Sequence, residues 1–290
     1  MNNIIKKAIS EAKKYKKINC DSPNVIKYTI HNETLTTNII GKNNVRHNTI
    51  LQFVKNTCKD SNLNISFYIC LDDHTIENIP ILTFSSKLSS NILMPDLYAI
   101  LKYQNKLSKD DILYENKDKK ALFIGCTTGN LDAKLNNRLK ICNKYRKNEV
   151  IHCYIHKICQ MSYESVHDAY PYYNDFLSPT KQFNEMCKYK YIISVEGNSA
   201  AWDRIPMFLN SNSILLIQNS DHKCWYYDFL IPNVHYIPFD DDTDLEKIVS
   251  SDEDRRHIIK NANQFVTDYL TYDKHLLYMK TLLETMNTIK

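Results

Sequence analysis

The stretch from residue 187 to residue 240 constrains the fold most, because strand and helix patterns alternate within it. An apolar run at residues 191–195 ends in Glu196-Gly197-Asn198-Ser199, a candidate helix follows, and a second apolar run occupies residues 213–218. This order predicts a strand, a turn, a helix and a strand, which is the unit of a parallel α/β sheet. Ligands of such sheets bind beyond the carboxyl ends of the strands, often with a phosphate at a helix N-terminus. We therefore expect a nucleotide where the first strand ends.

Glycine is scarce in the chain, so we expect it mainly where the backbone or a ligand requires it. The chain has 4 glycines in 290 residues, whereas average usage would give roughly 20. Gly125 and Gly197 each follow an apolar, strand-like run. Glycine permits positive φ and lets a ligand approach the backbone. The two positions are candidate ligand contacts, and an ordinary tight turn is the alternative at each.

Length and charge limit the function classes. A chain of 290 residues favours two domains of about 100–150 residues. The formal charge is +4, with 37 basic and 33 acidic residues interspersed, so nucleic-acid binding is not indicated. We find neither a signal-peptide core nor a run approaching the roughly 18 apolar residues of a membrane span. We expect a cytoplasmic protein with mostly reduced cysteines; the oligomeric state is not indicated.

Periodicity predicts strands alternating with helices in both halves. Predicted strands lie at residues 25–30, 35–40, 65–71, 80–84, 121–124 and 150–155, besides the two above; predicted helices lie at 46–59, 95–103, along a stripe of Leu131, Leu135, Leu139 and Cys142, at 245–250 and within 252–290. Residues 105–120 are the predicted linker and residues 163–181 a predicted loop. The alternation predicts two parallel-sheet domains. We place them at residues 1–115 and 116–270, with a closing helix at 271–290 that packs back on the first.

One segment superficially suggests a metal site. His152-Cys153-Tyr154-Ile155-His156 alternates as a strand does, so its two histidines and Cys153 lie on opposite faces. We predict no metal site there.

The second half of the chain contains several aromatic phrases: CKYKY at 187–191, GxxAxW at 197–202, WYY at 225–227 and VHYIP at 234–238. These phrases resemble glycosyltransferase family 90, the group of the protein O-glucosyltransferases and the CAP10-like xylosyltransferases. Weaker likenesses are Phe123-Ile124-Gly125-Cys126-Thr127-Thr128 to the family's FRGSRT segment, and the strand ending at Asp72-Asp73 followed by Phe84-Ser85-Ser86-Lys87 to its strand and FSFSK segment. The resemblance implies a GT-B architecture of two Rossmann-like domains that face each other across a cleft. It also implies metal-independent, inverting transfer from a UDP-sugar without a further cofactor.

The resemblance also implies residue roles. Asp72 is the base that takes the proton of the acceptor hydroxyl, with Asp73 as the fallback, and the acceptor, a glycan or glycoprotein, lies near Ser85, Ser86 and Lys87. With the positions argued above, the predicted nucleotide-sugar site consists of Gly125, Thr127, Thr128, Glu185, Glu196, Gly197, Asn198, Ser199, Trp202, Arg204 and Ser220.

Arg204 matters most for the leaving diphosphate. It is the only one of the six arginines within residues 187–240, and a guanidinium matches a diphosphate bidentately. Pro206 either kinks the helix after Gly197 or starts it, with residues 197–204 as a phosphate-binding loop. An ion pair of Arg204 with Asp203 or Glu196 is the alternative role.

Ile124 and Thr127 stand where the family has arginines, and this keeps other functions open. The alternatives are a retaining or non-UDP GT-B enzyme, and an inactive nucleotide- or glycan-binding module of the same fold. The sugar, glucose or xylose, and the acceptor are not identified by the sequence.

Overall fold

The computed structural model describes residues 1–15, 24–38, 45–59, 61–73, 79–103, 109–201 and 203–289. The strands in these residues are β1 (Val25–His31), β2 (Thr34–Thr37), β3 (Asn64–Cys70), β4 (Ile81–Thr83), β5 (Asn91–Leu93), β6 (Asp118–Cys126), β7 (Ile151–Lys157), β8 (Tyr189–Ser194), β9 (Ile214–Gln218) and β10 (Ile237–Phe239). The helices are α1 (Asn2–Ala12), α2 (Val45–Cys58), α3 (Leu97–Tyr103), α4 (Asn137–Lys144), α5 (Tyr163–Ala169), α6 (Phe183–Met186), α7 (Arg204–Leu209), α8 (Leu245–Ser250), α9 (Arg256–Tyr269) and α10 (Tyr272–Thr288).

The chain divides into two compact units, each with a five-stranded sheet. Unit 1 consists of Met1–Lys106, Asp221–Asp228 and Asp268–Lys290, and unit 2 of Leu107–Ser220 and Phe229–Thr267. The fold is therefore mixed α/β with two parallel-rich sheets. The domain limits drawn from the sequence stay predictions. Among the described residues, none of the helices has the length and apolar character needed to cross a membrane.

The sheet of unit 1 has the order β2-β1-β3-β4-β5 and is mixed. β1 is antiparallel to β2 and β3, whereas β3, β4 and β5 are parallel. A two-residue turn with positive φ at Asn32 and Glu33 joins β1 to β2, and a connection that short permits only antiparallel pairing. The prediction of a purely parallel sheet in this half is therefore wrong at its β1 edge.

Specific contacts join the two later segments of unit 1, Asp221–Asp228 and Asp268–Lys290, to each other and to the N-terminal part of that unit. The rings of Trp225 and Tyr278 lie 4.2 Å apart between centroids. Ser86 and Lys223 exchange backbone N–H···O bonds of 3.1 and 3.0 Å. Residues 221–228 and α10 thus belong to the core of this unit.

The sheet of unit 2 has the order β10-β9-β8-β6-β7, and all its neighbouring strands are parallel. Strands buried on both faces require continuous apolar runs, as in β9, where all five residues are buried. α4 and α8 contribute Leu139, Cys142 and Leu245 to the core cluster of this unit. This sheet agrees with the parallel sheet predicted for the second half of the chain.

Two secondary-structure predictions in unit 2, one of a helix and one of a loop, need correction. The stripe that includes Leu131 and Leu135 does not form one helix, because Asn136 caps the separate helix α4; these two leucines are 68% and 53% exposed. Residues 163–181, predicted as a loop, contain α5 and a turn of 3-10 helix. The Ser162 side chain caps α5 by accepting a hydrogen bond from the Ser165 amide.

A buried ion pair joins three segments of unit 2. The Lys117 ammonium donates to Asp110 Oδ2 at 2.7 Å, and the two side chains are 0% and 1% exposed. Lys117 also donates to the carbonyl of Cys187, and Asp110 accepts from the amide of Asn212 at 2.8 Å. The pair thus ties the chain before β6 to the chain before β8 and β9.

Replacing Lys117 should destabilise the protein strongly. We expect Lys117→Met to lower the free energy of unfolding by about 3–5 kcal/mol, because Asp110 then stays buried without its countercharge. Urea denaturation followed by circular dichroism measures the change. Lys109→Met is the matched control: Lys109 pairs with Asp111 on the surface, where the side chains are 86% and 78% exposed, and its midpoint should hardly move. Equal effects of the two substitutions would contradict this role.

Candidate functional site

The topology of unit 2 marks one place for a ligand. The chain passes from β6 to β7 on one side, and then forms β8 on the other side of β6. Because parallel crossovers are right-handed, the two connections lie on opposite faces of the sheet. In open α/β sheets ligands bind where two such connections diverge, which here points to the carboxyl ends of β6 and β8. We call residues 126–130 and 195–201 at this edge the strand-end site.

Asn136 shapes one side of the strand-end site. Its Oδ1 accepts hydrogen bonds from the amides of Arg138 and Leu139, both at 3.1 Å, and so caps α4. Its Nδ2 donates to the carbonyls of Thr127 and Asn130 at 3.1 and 3.0 Å. The side chain is fully buried. It therefore fixes the start of α4 against the loop after β6.

Arg138 joins the ends of the two central strands. Its Nε donates to the carbonyl of Glu196 at 3.0 Å, Nη2 to that of Val195 at 3.2 Å, and Nη1 to that of Cys126 at 3.2 Å. Nη1 also donates to Thr128 Oγ1 at 2.6 Å. Burial lowers the pKa of this guanidinium. The sequence prediction missed Arg138 because it lies outside residues 187–240, although arginine is rare in the chain.

The two glycines of the loops fit this arrangement. A Cβ at Gly197 would lie 2.6 Å from Thr128 Oγ1 and 2.8 Å from Arg138 Nη2. A contact within the protein is therefore one reason for glycine at this position, and the approach of a ligand stays a prediction. Gly129 has φ +124°, which favours glycine, and its amide donates to Asn198 Oδ1 at 3.0 Å. Asn198 thus links the two loops.

Arg204 brings a second guanidinium to the same edge. Nη2 donates to the carbonyl of Ile124, and the guanidinium lies over the Phe123 ring, 5.0 Å from its centroid. Nη1 is shielded from water and has no hydrogen-bond partner among the described residues. Burial, helped by the charge of Arg138, lowers the pKa of Arg204 to about 10. α7 begins at Arg204, so Pro206 lies in its first turn, and the segment from Gly197 to Asp203 forms no helix in its described residues.

The threonines after β6 have different surroundings. Thr127 is fully buried; its Oγ1 donates to the carbonyl of Cys159 at 2.7 Å and accepts from that residue's amide at 2.9 Å. Its hydroxyl hydrogen is therefore used within the protein. Thr128 is half-buried, and its Oγ1 accepts from Arg138. That bond leaves its hydroxyl hydrogen for another acceptor.

Some of the remaining predicted nucleotide contacts lie at the strand-end site and others do not. Ser220, after β9, donates to the carboxylate of Glu196, which brings both residues to the strand-end site. Ser199 is buried there, and Gly125 is buried near the end of β6. Glu185 lies instead in α6, before the start of β8, where its carboxylate accepts from the Gln182 amide at 2.7 Å. Trp202 lies outside the described residues.

A sulfur and an imidazole flank the site. Cys126 Sγ lies 3.2 Å from His156 Nε2. Burial lowers the pKa of His156, and the positive charge of Arg204 acts in the same direction. Burial raises the pKa of the Cys126 thiol. In the described part of the chain, no group of three or more His, Cys, Asp and Glu side chains is arranged to bind a metal ion.

The predicted base lies in unit 1, in the turn after β3. Asp72 Oδ2 accepts from Asn24 Nδ2 and Oδ1 accepts from the Asp73 amide, both at 2.8 Å. Asp73 Oδ1 lies 3.4 Å from Arg46 Nη1, which also donates to the carbonyl of Leu71 at 2.9 Å. Both oxygens of Asp72 thus hold the turn, whereas Asp73, within the described residues, has one longer contact, to a half-exposed arginine.

The three residues predicted on the acceptor side differ in exposure. Ser85 and Ser86 are 2% and 4% exposed. The Ser86 hydroxyl donates to Asn91 Oδ1 at 2.8 Å and accepts from the Leu88 amide at 2.9 Å. Lys87 is exposed. Of the three side chains, that of Lys87 is therefore the one placed to meet an external molecule.

Comparison with known proteins agrees with the sequence phrases. The family model for Glycosyl transferase family 90 matches residues 73–289. Protein O-glucosyltransferase 2 of Danio rerio is 36% identical over 107 residues, which are 35% of this chain and 21% of that protein. The O-glucosyltransferase LpsA of Dichelobacter nodosus is 30% identical over 125 residues, which are 41% of this chain and 38% of that protein.

The chain spans well under two thirds of the length of these curated relatives. Among solved structures, the C-terminal domain of a glycosyl transferase group 1 family protein (LpcC) from Francisella tularensis aligns with 62% of this chain and 96% of its own, at 9% identity and a TM-score of 0.35. A TM-score this low supports no conclusion about the fold.

Proposed function

The chain belongs to glycosyl transferase family 90, and from this membership we propose that it moves a sugar from a UDP-sugar to a hydroxyl group of a glycan or protein. The relatives named O-glucosyltransferases favour glucose as the sugar, with xylose as the alternative. We further propose inversion at the anomeric carbon, no requirement for a metal ion, and the GT-B architecture.

The observation that carries the proposal is a pair of cationic side chains that form no ion pair among the described residues. The carboxylates of Glu196 and Asp203 act on these guanidinium groups electrostatically without an ion-pair contact. None of the ion pairs that the described residues form involves Arg138 or Arg204. Both guanidinium groups lie at the carboxyl edge of a parallel sheet, where ligands of such sheets bind. Two neighbouring cations repel each other, and an anion between or beside them relieves that repulsion. A diphosphate has the required charge.

Arg204 and Thr128 are the proposed diphosphate ligands. The buried Nη1 of Arg204 donates to nothing in the described residues, and an unsatisfied buried donor is costly. A phosphate oxygen would satisfy it with a charge-assisted hydrogen bond. The free hydroxyl hydrogen of Thr128 supplies a second donor. Fixed positive charge of this kind stabilises a departing UDP, which is the basis for proposing that no metal ion is needed.

For the base, we propose a carboxylate of the Asp72-Asp73 pair, and the hydrogen bonds favour Asp73. A carboxylate whose two oxygens both accept hydrogen bonds has less capacity left to accept the proton of an acceptor hydroxyl. Both oxygens of Asp72 accept such bonds. Among the described residues, Asp73 has one contact, with Arg46. Asp73 would then take the proton of the acceptor hydroxyl, and Asp72 would shape the turn. The cytoplasmic location stays a prediction from the sequence.

The direct test is incubation of the protein with a panel of UDP-, GDP- and dTDP-sugars, scored by release of free nucleotide. We expect UDP release from UDP-glucose or UDP-xylose, at a rate that excess EDTA does not change. Activity that EDTA removes and manganese restores would contradict metal independence. Release of GDP or dTDP instead would favour the non-UDP alternative, and binding of UDP-glucose without any release would favour the inactive module.

Arg204 should contribute strongly to the affinity for the diphosphate of UDP. We expect Arg204→Met to weaken UDP binding at least about tenfold in calorimetry, because a charge-assisted hydrogen bond contributes roughly 1.5–3 kcal/mol and 1.4 kcal/mol is a factor of ten. Arg146→Met is the matched control, since Arg146 pairs with Asp175 away from this edge. Unchanged UDP binding by a folded Arg204→Met protein would make Arg204 structural.

Substitution of the two aspartates should lower turnover to different extents. Asp73→Asn should lower turnover by at least about 100-fold, the usual contribution of a general base, with UDP affinity nearly unchanged because Asp73 belongs to unit 1. Asp72→Asn should lose less, because an amide still holds part of the turn. Turnover of UDP-glucose and calorimetry with UDP measure the two effects. The reverse order would return the role of base to Asp72.

A further inference from the structure

We infer that Arg138 is a positioning residue for the diphosphate, acting through Thr128 and the ends of β6 and β8 rather than by binding phosphate itself. This inference rests on the proposed function, because it concerns the same UDP site. It assigns a role to an arginine that lies outside the short sequence phrases that resemble the family.

The hydrogen bonds of Arg138 show why it is not the main ligand. A guanidinium has five N–H donors. Four of those of Arg138 are used on protein oxygens: three backbone carbonyls and Thr128 Oγ1. Arg204 differs, since its Nη1 donates to nothing in the described residues. Of the two cations at this edge, Arg204 is therefore the one with donors to give to a ligand.

The contact with Thr128 sets the direction of one hydroxyl. Arg138 Nη1 donates to Thr128 Oγ1 at 2.6 Å. A guanidinium only donates, so the hydroxyl must accept on that side. Its single hydrogen is then directed away from Arg138. At the strand-end site, Arg138 thereby converts Thr128 into an oriented donor for an anionic oxygen.

The same guanidinium sets the shape of the loop after β8. It holds the carbonyls of Val195 and Glu196, and it occupies the space beside Gly197, where a Cβ would lie 2.8 Å from Nη2. The backbone at Gly197 can approach the β6 loop only because it has no side chain. Arg138, Thr128 and Gly197 are thus one packing unit, and a change in any of them moves the others.

A double-substitution cycle tests whether Arg138 acts through Thr128. We measure UDP and uridine affinities by calorimetry for wild type, Arg138→Lys, Thr128→Val and the double variant, with Arg146→Lys as a matched control and thermal unfolding as a check of folding. Lysine keeps the charge of Arg138 and loses the fork that contacts both strand ends. Residues that act together give non-additive effects in such a cycle.

We expect each single substitution to weaken UDP binding about tenfold, and the double variant to be at most about twofold weaker than the weaker single variant. Uridine, which lacks phosphate, should bind all variants alike, and Thr128→Ser should keep near-normal UDP affinity because it keeps the hydroxyl. A purely structural role would lower uridine and UDP affinity together. Normal UDP binding by Arg138→Lys, or losses that multiply to about 100-fold in the double variant, would overturn the inference.

If Arg138→Lys does not fold, a second variant tests the inference. Gly197→Ala places a Cβ against both Arg138 Nη2 and Thr128 Oγ1 and displaces them without removing either. A folded Gly197→Ala protein should lose UDP affinity and keep uridine affinity, and normal UDP binding by it would overturn the inference. Failure of the wild type to bind UDP at all is a different result: it would remove the proposed function, and this inference with it.

Discussion

The hydrogen bonds of Arg138 are the interaction on which the rest of the strand-end site depends. In a parallel sheet, the carbonyls of the last residues in each strand lose their neighbours where the chain turns away, and such groups need donors when they are buried. Here one side chain supplies donors to both central strands at once, at Cys126, Val195 and Glu196. Because the guanidinium is planar and rigid, it also fixes the separation of the two loops. The position of Thr128 and the absence of a side chain at Gly197 follow from where it lies.

Two kinds of buried cation in unit 2 show different physical uses of charge. Lys117 is paired with Asp110 at 2.7 Å, with both side chains essentially inaccessible, and this pair joins segments that have no ligand-binding geometry. Arg138 and Arg204 lie at the carboxyl edge of the same sheet and donate to carbonyls, and Arg138 also donates to the Thr128 hydroxyl. Burial of a cation lowers its pKa, as it does for Arg204, and costs stability. Such a cost is expected where it serves binding of an anion, and this supports the proposal of a diphosphate at this edge.

The sequence predicted four of the five strands of unit 2, β6 to β9, because each of them is a short apolar run followed by a turn, and this pattern is local. The three-residue strand β10, which contains Pro238, was not predicted. The sequence prediction was wrong where residues distant along the chain determine the local structure. Leu131 and Leu135 have helical spacing with Leu139, yet the buried side chain of Asn136 starts a new helix. Its Oδ1 caps α4, while its Nδ2 holds this helix start against the loop after β6. Arg204 was placed at the site from its segment alone, whereas Arg138 reaches the site from a helix whose own sequence has no ligand-binding pattern. Spacing along the chain cannot show that a side chain spans two strand ends.

Gly197 shows how a position singled out from the sequence can have a second physical cause. Scarcity pointed to Gly197 because a chain with so little glycine retains it where a Cβ is excluded. Ligand approach was one explanation, and the atoms nearest to the place that a Cβ would occupy belong instead to Thr128 and Arg138. The two explanations are connected, however. A backbone that passes this close to a guanidinium leaves no room for another side chain, so the main chain of Gly197 and the oriented hydroxyl of Thr128 lie side by side. Such a surface suits an anion, since it offers donors and no steric bulk.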